Sequence, residues 1–385
     1  MPASVPRAWS QSSSRRSLQP SFRRPFRRQT GAALIIALLI VATVVGLAVG
    51  IAAEFQLTAA RAENRWHGAQ AREYLFGSES LAAYALAQDE DMDVDHLAEA
   101  WAMDLPQFPV EGGWVEPRLI DAQGRLNINS LVGRASDPGG GASAEPWQRF
   151  TPAQRRFMRL LQTYDEFPVD QTLAQEITVA VIDWLDADDQ PFDFSGAESD
   201  YYRGLEIPYR PANQPMNSIS ELLLVRHMPI ELYNLVKYEL VALPEATDIN
   251  VNTASARLMS TLNIRSELTP LTLIDGESMV AGRGDEGYGN VREFTTSETV
   301  TSIQSQEERD QISSEGLTVK SSHFMLLGKT QIGRQRRHIT SLLKRDGEGQ
   351  TSVVWRRDNR LPVYPQLEPE DEEEGADELA GATSR

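Results

Sequence analysis

The chain contains no cysteine among its 385 residues. No disulfide can staple it, and neither thiolate catalysis nor a thiolate metal site is available. Histidine is scarce, with five in all, and none of His67, His96, His227, His323 or His338 stands in an H-E-x-x-H arrangement. A G-x-S-x-G elbow is also missing, so the local signatures of zinc proteases and serine hydrolases are absent. No acidic residue precedes Glu54, and no proline lies between Thr30 and Pro106. The second absence permits one very long helix, because proline in a helix interior removes a hydrogen bond and clashes with the preceding turn.

What fills the first part of that space is the uncharged run from Ala32 to Ala53, broken only by Thr43, Gly46 and Gly50. About 20 apolar residues cross a hydrocarbon core as a helix. A secretory signal is the rival, but its apolar region is usually about 7–15 residues and ends in a cleavage site, whereas this run passes directly into helical sequence. Arg7, Arg15, Arg16, Arg23, Arg24, Arg27 and Arg28 precede it, which keeps the N-terminus cytoplasmic by the positive-inside rule and places the remainder outside. The formal net charge is −18, and −25 without those seven arginines. Such a surface is soluble and repels nucleic acid.

Beyond Ala53, Phe55, Ala59, Ala62, Trp66, Ala69, Phe76 and Ala83 form an apolar stripe at helical spacing. A single helix of about 60 residues is expected from Ala32 to near Gln88, ending at Asp89-Glu90-Asp91. Two alternating runs between Gly113 and Asn129, separated by a turn at Gly124, predict a β-hairpin. Asp137-Pro138-Gly139-Gly140-Gly141 marks a loop. Helical periodicity returns from Thr151 to about Leu262. Strands at 317–331 and 334–345 are expected to turn near Gly333, with a third at 351–357 after Asp346-Gly347. The segment 365–385 is acidic with almost nothing apolar, the composition of a disordered tail.

Three segments bear on chemistry. Gly282-Arg283-Gly284-Asp285-Glu286-Gly287 fits G-x-G-x-x-G, but Tyr288-Gly289-Asn290 breaks the helix that a dinucleotide site needs, which leaves a flexible loop. Ser218 and Glu221 form a capping box, Pro229 to Leu240 follows, and Asn252 or Thr253 is placed to cap a helix through Leu262. This resembles a helix-hairpin-helix, yet its hairpin reads Arg226-His227-Met228-Pro229 rather than glycine-rich, so a structural role is expected over DNA binding. Asp183, Asp186, Asp188, Asp189, Glu198 and Asp200 crowd one interhelical loop. Hard oxygen ligands of this kind suit calcium. Counted as an EF-hand from Asp186, however, the sixth position is Pro191 and the twelfth Ala197, not Gly and Glu. Calcium site and solvated acidic loop with helix caps both remain open on these residues alone.

Taken together, the basic leader ending at Gly31, the Ala32-Ala33-Leu34-Ile35-Ile36-Ala37-Leu38-Leu39 start, the Asp121–Asn129 turn, the 183–202 acidic segment and Asn250-Val251-Asn252-Thr253-Ala254 resemble the K-type minor pseudopilins of bacterial type II secretion systems. The resemblance implies an α+β fold: a pilin-like long helix packed on an antiparallel sheet, with a large α-helical domain inserted between strands. The expected layout is a leader (1–31), a transmembrane half-helix (32–53), an amphipathic helix with the first part of the sheet (54–135), the inserted domain (136–265), the rest of the sheet (266–360) and an acidic tail (361–385). It also implies cleavage by prepilin peptidase between Gly31 and Ala32, methylation of the new amine, and calcium in the inserted domain.

Implied partners are the I-, J- and H-type minor pseudopilins, the major pseudopilin, the inner-membrane assembly platform and the secreted proteins. Most pilin-like chains carry Glu at the fifth position after the cut, where it pairs with the amine of the subunit above. Here that position is Ile36. A mid-membrane carboxylate costs roughly 2.5–3.5 kcal/mol and is kept only where it finds a partner, so a subunit with none above it needs none. Together with the bulk of the exported part, this points to a non-enzymatic initiator and cap of the pseudopilus tip. The alternatives are an anchored DNA-binding protein, a minor pilin of a type IV pilus, and an anchored hydrolase using the 183–198 carboxylates.

Overall fold

The computed structural model describes residues 30–89, 91–133, 146–303 and 311–358. Most of the basic leader, the glycine loop at 137–141, Glu90 and the acidic tail lie outside the described residues. The chain forms two compact units, residues 1–63 and 64–385. In the first unit the described residues belong to α1 (Thr30–Ala87). Every side chain from Gly31 to Ala53 is exposed, and the mean hydropathy of the best 18-residue window is 3.0. By length and composition this helix can cross a membrane.

In the second unit, α1 buries Ala71, Leu75, Ala82 and Leu86, residues spaced by four or seven and hence on one helical face. Two strands follow, β1 (Phe108–Val110) and β2 (Gly113–Asp121). After β3 (Leu126–Asn127) come α2 (Pro152–Leu161), α3 (Gln171–Leu185), α4 (Ser199–Arg203) and α5 (Ile230–Val236). Short strands β4 (Leu240–Val241) and β5 (Ile249–Asn250) precede α6 (Ala256–Met259), α7 (Leu273–Gly282), α8 (Val291–Thr295) and α9 (Glu298–Thr301). The chain closes with β6 (Leu317–Thr318), β7 (His323–Ile332), β8 (Gln335–Arg345) and β9 (Thr351–Arg357). The main sheet has the order β1-β2-β7-β8-β9 and is antiparallel throughout.

The sheet is covered on both faces around β7, which explains its apolar run from Phe324 to Leu327. Phe324 and Leu326 pack with Ala82 and Leu86 of α1, whereas Met325 and Leu327 face Val241 and Leu243 of the inserted region. Successive side chains of a strand point to opposite faces, so one strand serves both layers. Arg356 of β9 grips Glu79 of α1 through two nitrogens at 2.7–2.9 Å, and Ser341 Oγ donates to the same carboxylate at 2.6 Å. The helical region has its own core around Phe150, Phe157, Trp184 and Tyr202.

Three expectations are corrected. The 113–129 stretch is not a hairpin: β2 pairs with β1 and with β7, two hundred residues away, while β3 runs parallel to β4. The alternation marks strands correctly but does not name the partner. The helix expected through Leu262 is short, and its cap is Ser255 rather than Asn252 or Thr253, whose side chains bond elsewhere. Finally, helices continue to Thr301, with Met279, Phe294 and Val300 in the same core as α3. A capping box at Thr272 and Asp275 starts α7, in a stretch where sheet was expected.

Candidate metal centre

The acidic loop begins where α3 ends. Asp170 caps that helix at its start, and the Asp186 N–H closes it on the Ile182 carbonyl at 2.9 Å. One turn earlier Asp183 is fully buried and accepts from the Phe192 and Ala197 N–H groups at 2.8 and 2.7 Å. Gly196 is required at this contact, because a Cβ there would lie 2.2 Å from Asp183 Oδ2. Asp183 thus folds the loop back on itself. Burial pushes its carboxyl up to about 6.

The fold-back brings carboxylate oxygens of Asp186, Asp188 and Glu198 within 4.8 Å of one another. Glu198 is 5% exposed, and among the described residues neither of its oxygens accepts a hydrogen bond. Burial, then the charges of Asp183, Asp186, Asp189 and Asp188, raise it to about 8. A buried carboxylate without a cation or donor is costly. Asn213 lies against the group: its Nδ2 donates to the Asp188 carbonyl, its Oδ1 is buried without a partner, and its φ is 45°. A non-glycine residue in that left-handed region is uncommon.

Of the six carboxylates expected at this site, the structure converges three. Asp183 instead caps the loop, Asp189 accepts from the Ser199 N–H at 3.1 Å, and Asp200 points outward with Arg203 3.9 Å away. Asn213 was not among the expected residues, and nothing in the local sequence distinguishes it. The three carboxylates and the Asn213 amide oxygen are the hard donors that Ca²⁺ takes, which prefers six to eight oxygens in flexible geometry. The residues present fit the ion. The Arg226 hairpin faces this loop rather than a ligand: its guanidinium donates to the Gly196 carbonyl at 3.2 Å and stacks 4.6 Å from the Tyr201 ring centroid.

A second acidic group behaves differently. Asp89, Asp95 and Glu99 also bring oxygens within 4.8 Å, but Arg345 is already there, bonding Asp89 at 2.6 Å and Asp95 at 2.6 and 2.7 Å. Glu99 accepts from the His96 N–H and the Trp101 indole. Nearby, Asn250 donates to Asp121, Ser321 and the Asp95 carbonyl at 3.0–3.1 Å, and Thr253 donates to Asp121 at 2.6 Å. The Asn250–Ala254 motif is therefore the polar seam between strand β2 and the inserted helices. Asn252 completes it by exchanging hydrogen bonds with the Tyr288 backbone. Gly287 makes room for that exchange, since a Cβ on it would meet Asn252 at 2.6 Å. The glycine-rich segment is thus a packed turn after α7 rather than a loose loop.

A long helix on an antiparallel sheet, with a helical domain inserted between strands, defines a pilin-like subunit of elaborated form. The profile of a family described as type II secretion system (T2SS), protein K, matches residues 124–245. Type II secretion system protein K of Pseudomonas aeruginosa is 31% identical over 311 residues, covering 78% of this chain and 84% of the relative. The protein of the same name from Klebsiella pneumoniae is 32% identical over 311 residues, covering 80% and 88%. A solved chain of the GspK-GspI-GspJ complex from the enterotoxigenic Escherichia coli type 2 secretion system has the same fold, with TM-score 0.64 at 24% identity over 78% of this chain and all of that one. The chain belongs to the type II secretion system protein K family and is a minor pseudopilin.

Proposed function

We propose that the protein initiates pseudopilus assembly and caps its tip with I-, J- and H-type minor pseudopilins, in support of protein export. It does so as a non-enzymatic subunit. The observation that carries this reading is Ile36, an exposed apolar side chain in the first turns of α1 where a shaft subunit carries Glu. Every position from Gly31 to Ala53 is uncharged, so nothing in this segment can pair with an amine above. The capture of I- and J-type partners is supported by the composition of the complex that holds the structural relative. Prepilin peptidase cuts between Gly31 and Ala32, leaving the helix in the inner membrane with the bulk of the chain in the periplasm until it enters the filament. The major pseudopilin and the assembly platform then act on it from below, and exported proteins meet it from above.

Calcium in this reading is a structural ion held by Asp186, Asp188 and Glu198 with Asn213. When bound it supplies the positive charge that the loop's own residues do not. Co-purifying the full chain in detergent with its I- and J-type counterparts tests the assembly reading. One co-eluting species is expected; three separate species on size exclusion would sink it.

A further inference from the structure

Three arginines of α2, Arg155, Arg156 and Arg159, are 7%, 3% and 3% exposed, and neither the main sheet nor the acidic loop involves them. A guanidinium does not lose its proton in proteins, so three positive charges lie inside the helical domain. Their hydrogen bonds go to neutral backbone carbonyls. Arg156 donates to Ser313, Glu315 and Gly316, and Arg159 to Thr261, Ile264 and Glu267. Arg155 donates through Nη1 alone, to the Trp147 and Phe150 carbonyls at 3.1 and 2.8 Å. Its Nε and Nη2 remain accessible and bond to no described residue.

These three guanidiniums, together with that of Arg265, line one cavity of about 10 Å³, room for about one water-sized occupant. Leu262 and Ile312 add apolar wall, and among the described residues no carboxylate lines it. Burial lowers Arg155 and Arg156 to about 10 and Arg159 to about 9. Next in weight for each is repulsion by a neighbouring guanidinium, ahead of the attraction of Glu315, Asp248 or Glu267. Buried charge is costly unless it is matched by charge of the opposite sign.

We propose that this cavity binds a monatomic anion of the chloride class, which accepts from the Arg155 N–H groups and offsets the mutual repulsion of the α2 arginines. A water molecule in the same place would take the hydrogen bonds and leave the charge unmatched. Sulfate and phosphate carry five heavy atoms each and exceed the space. Arg156 and Arg159 hold the 313–316 and 261–267 segments against α2, so the anion stabilises the junction of these three pieces of the helical domain. The cavity shares no residue with the acidic loop, and the proposal is independent of the calcium and tip readings.

Unfolding of the full chain in detergent by urea, at one ionic strength and with calcium held constant as its gluconate salt, tests it. Replacing gluconate by chloride or bromide should stabilise the chain saturably. At ten times the halide's dissociation constant the folding equilibrium should shift by about elevenfold. Arg155→Met should lose this halide response. Crystals of the wild-type chain grown in bromide should show an anomalous peak in the cavity against Arg155, a measurement that needs no variant to fold. Equal stability in gluconate and chloride, an unchanged halide response in Arg155→Met, or no bromide in the cavity would overturn the proposal. A bromide peak without any stabilisation, an adventitious ion only, would overturn it as well.

Discussion

Two clusters of three carboxylates, each within 4.8 Å, occur in one chain and have opposite solutions. At the seam, Asp89, Asp95 and Glu99 are matched by Arg345 and by N–H donors, and the Arg345 side chain is 2% exposed. In the loop, Asp186, Asp188 and Glu198 converge, and among the described residues neither Glu198 oxygen accepts a hydrogen bond. Residue type is the same in both, so the chemistry is decided by what the fold brings against the carboxylates. Where a cation is built in, the group is glue. Where buried carboxylate oxygens keep no described donor, as on Glu198, the group is a candidate for an ion from solution.

The largest effect that separates them is removal of the built-in cation. Arg345→Met strands Asp89 and Asp95 in the interior, and breaking a buried pair costs about 3–5 kcal/mol. Urea unfolding should show this loss at neutral pH, and added Ca²⁺ should not restore it. Next is the response of the loop to the ion. Calcium at a hundred times its dissociation constant should stabilise the wild-type chain by about 2.7 kcal/mol, and Glu198→Gln should cancel most of that gain, as thermal scans would reveal.

pH sharpens the contrast further. Glu198 is raised to about 8 and Glu99 to about 7, both by burial first, against an ordinary glutamate near 4.3. A carboxylate that is more basic in the folded state favours folding most below its ordinary pKa, and this contribution is lost as pH rises toward the folded value. Without calcium, stability should therefore fall between about pH 5 and 8. On the proposed calcium reading, the ion would displace the Glu198 proton, so at pH 7 binding should release protons and its affinity should rise with pH; calorimetry in buffers of different ionisation enthalpy would show both. Glu99→Gln should flatten the calcium-free pH profile without altering calcium affinity. The smallest effect is at the surface: the exposed Lys320–Asp93 pair, 2.7 Å apart, is screened by solvent, and Lys320→Met should scarcely move the melting temperature.

Much of this was legible in the sequence where the signal is local. Helix α1 shows in its helical spacing and its lack of proline, although the stripe from Phe55 to Ala83 is not the face it buries: Phe55 and Trp66 are exposed, and Ala71, Leu75, Ala82 and Leu86 turn inward instead; the β7-β8-β9 meander shows in its turns at Gly333 and Asp346-Gly347. What was not legible depends on distant partners. Nothing near β2 announces that β7 lies beside it, and the alternation of β3 fits a hairpin as well as its parallel pairing with β4. The acidic loop displays its carboxylates, but not that Asp183 turns inward to hold backbone amides while Asp200 turns outward. Arg345 and Asn213, which meet the two clusters, lie 250 and 25 residues away from the groups they touch.

The most direct measurement is calcium titration by calorimetry of the wild-type chain, Glu198→Gln and Glu99→Gln in parallel. The account predicts binding by the wild type and by Glu99→Gln, and its loss in Glu198→Gln. Loss in Glu99→Gln with retention in Glu198→Gln, or no binding by the wild type, would contradict it.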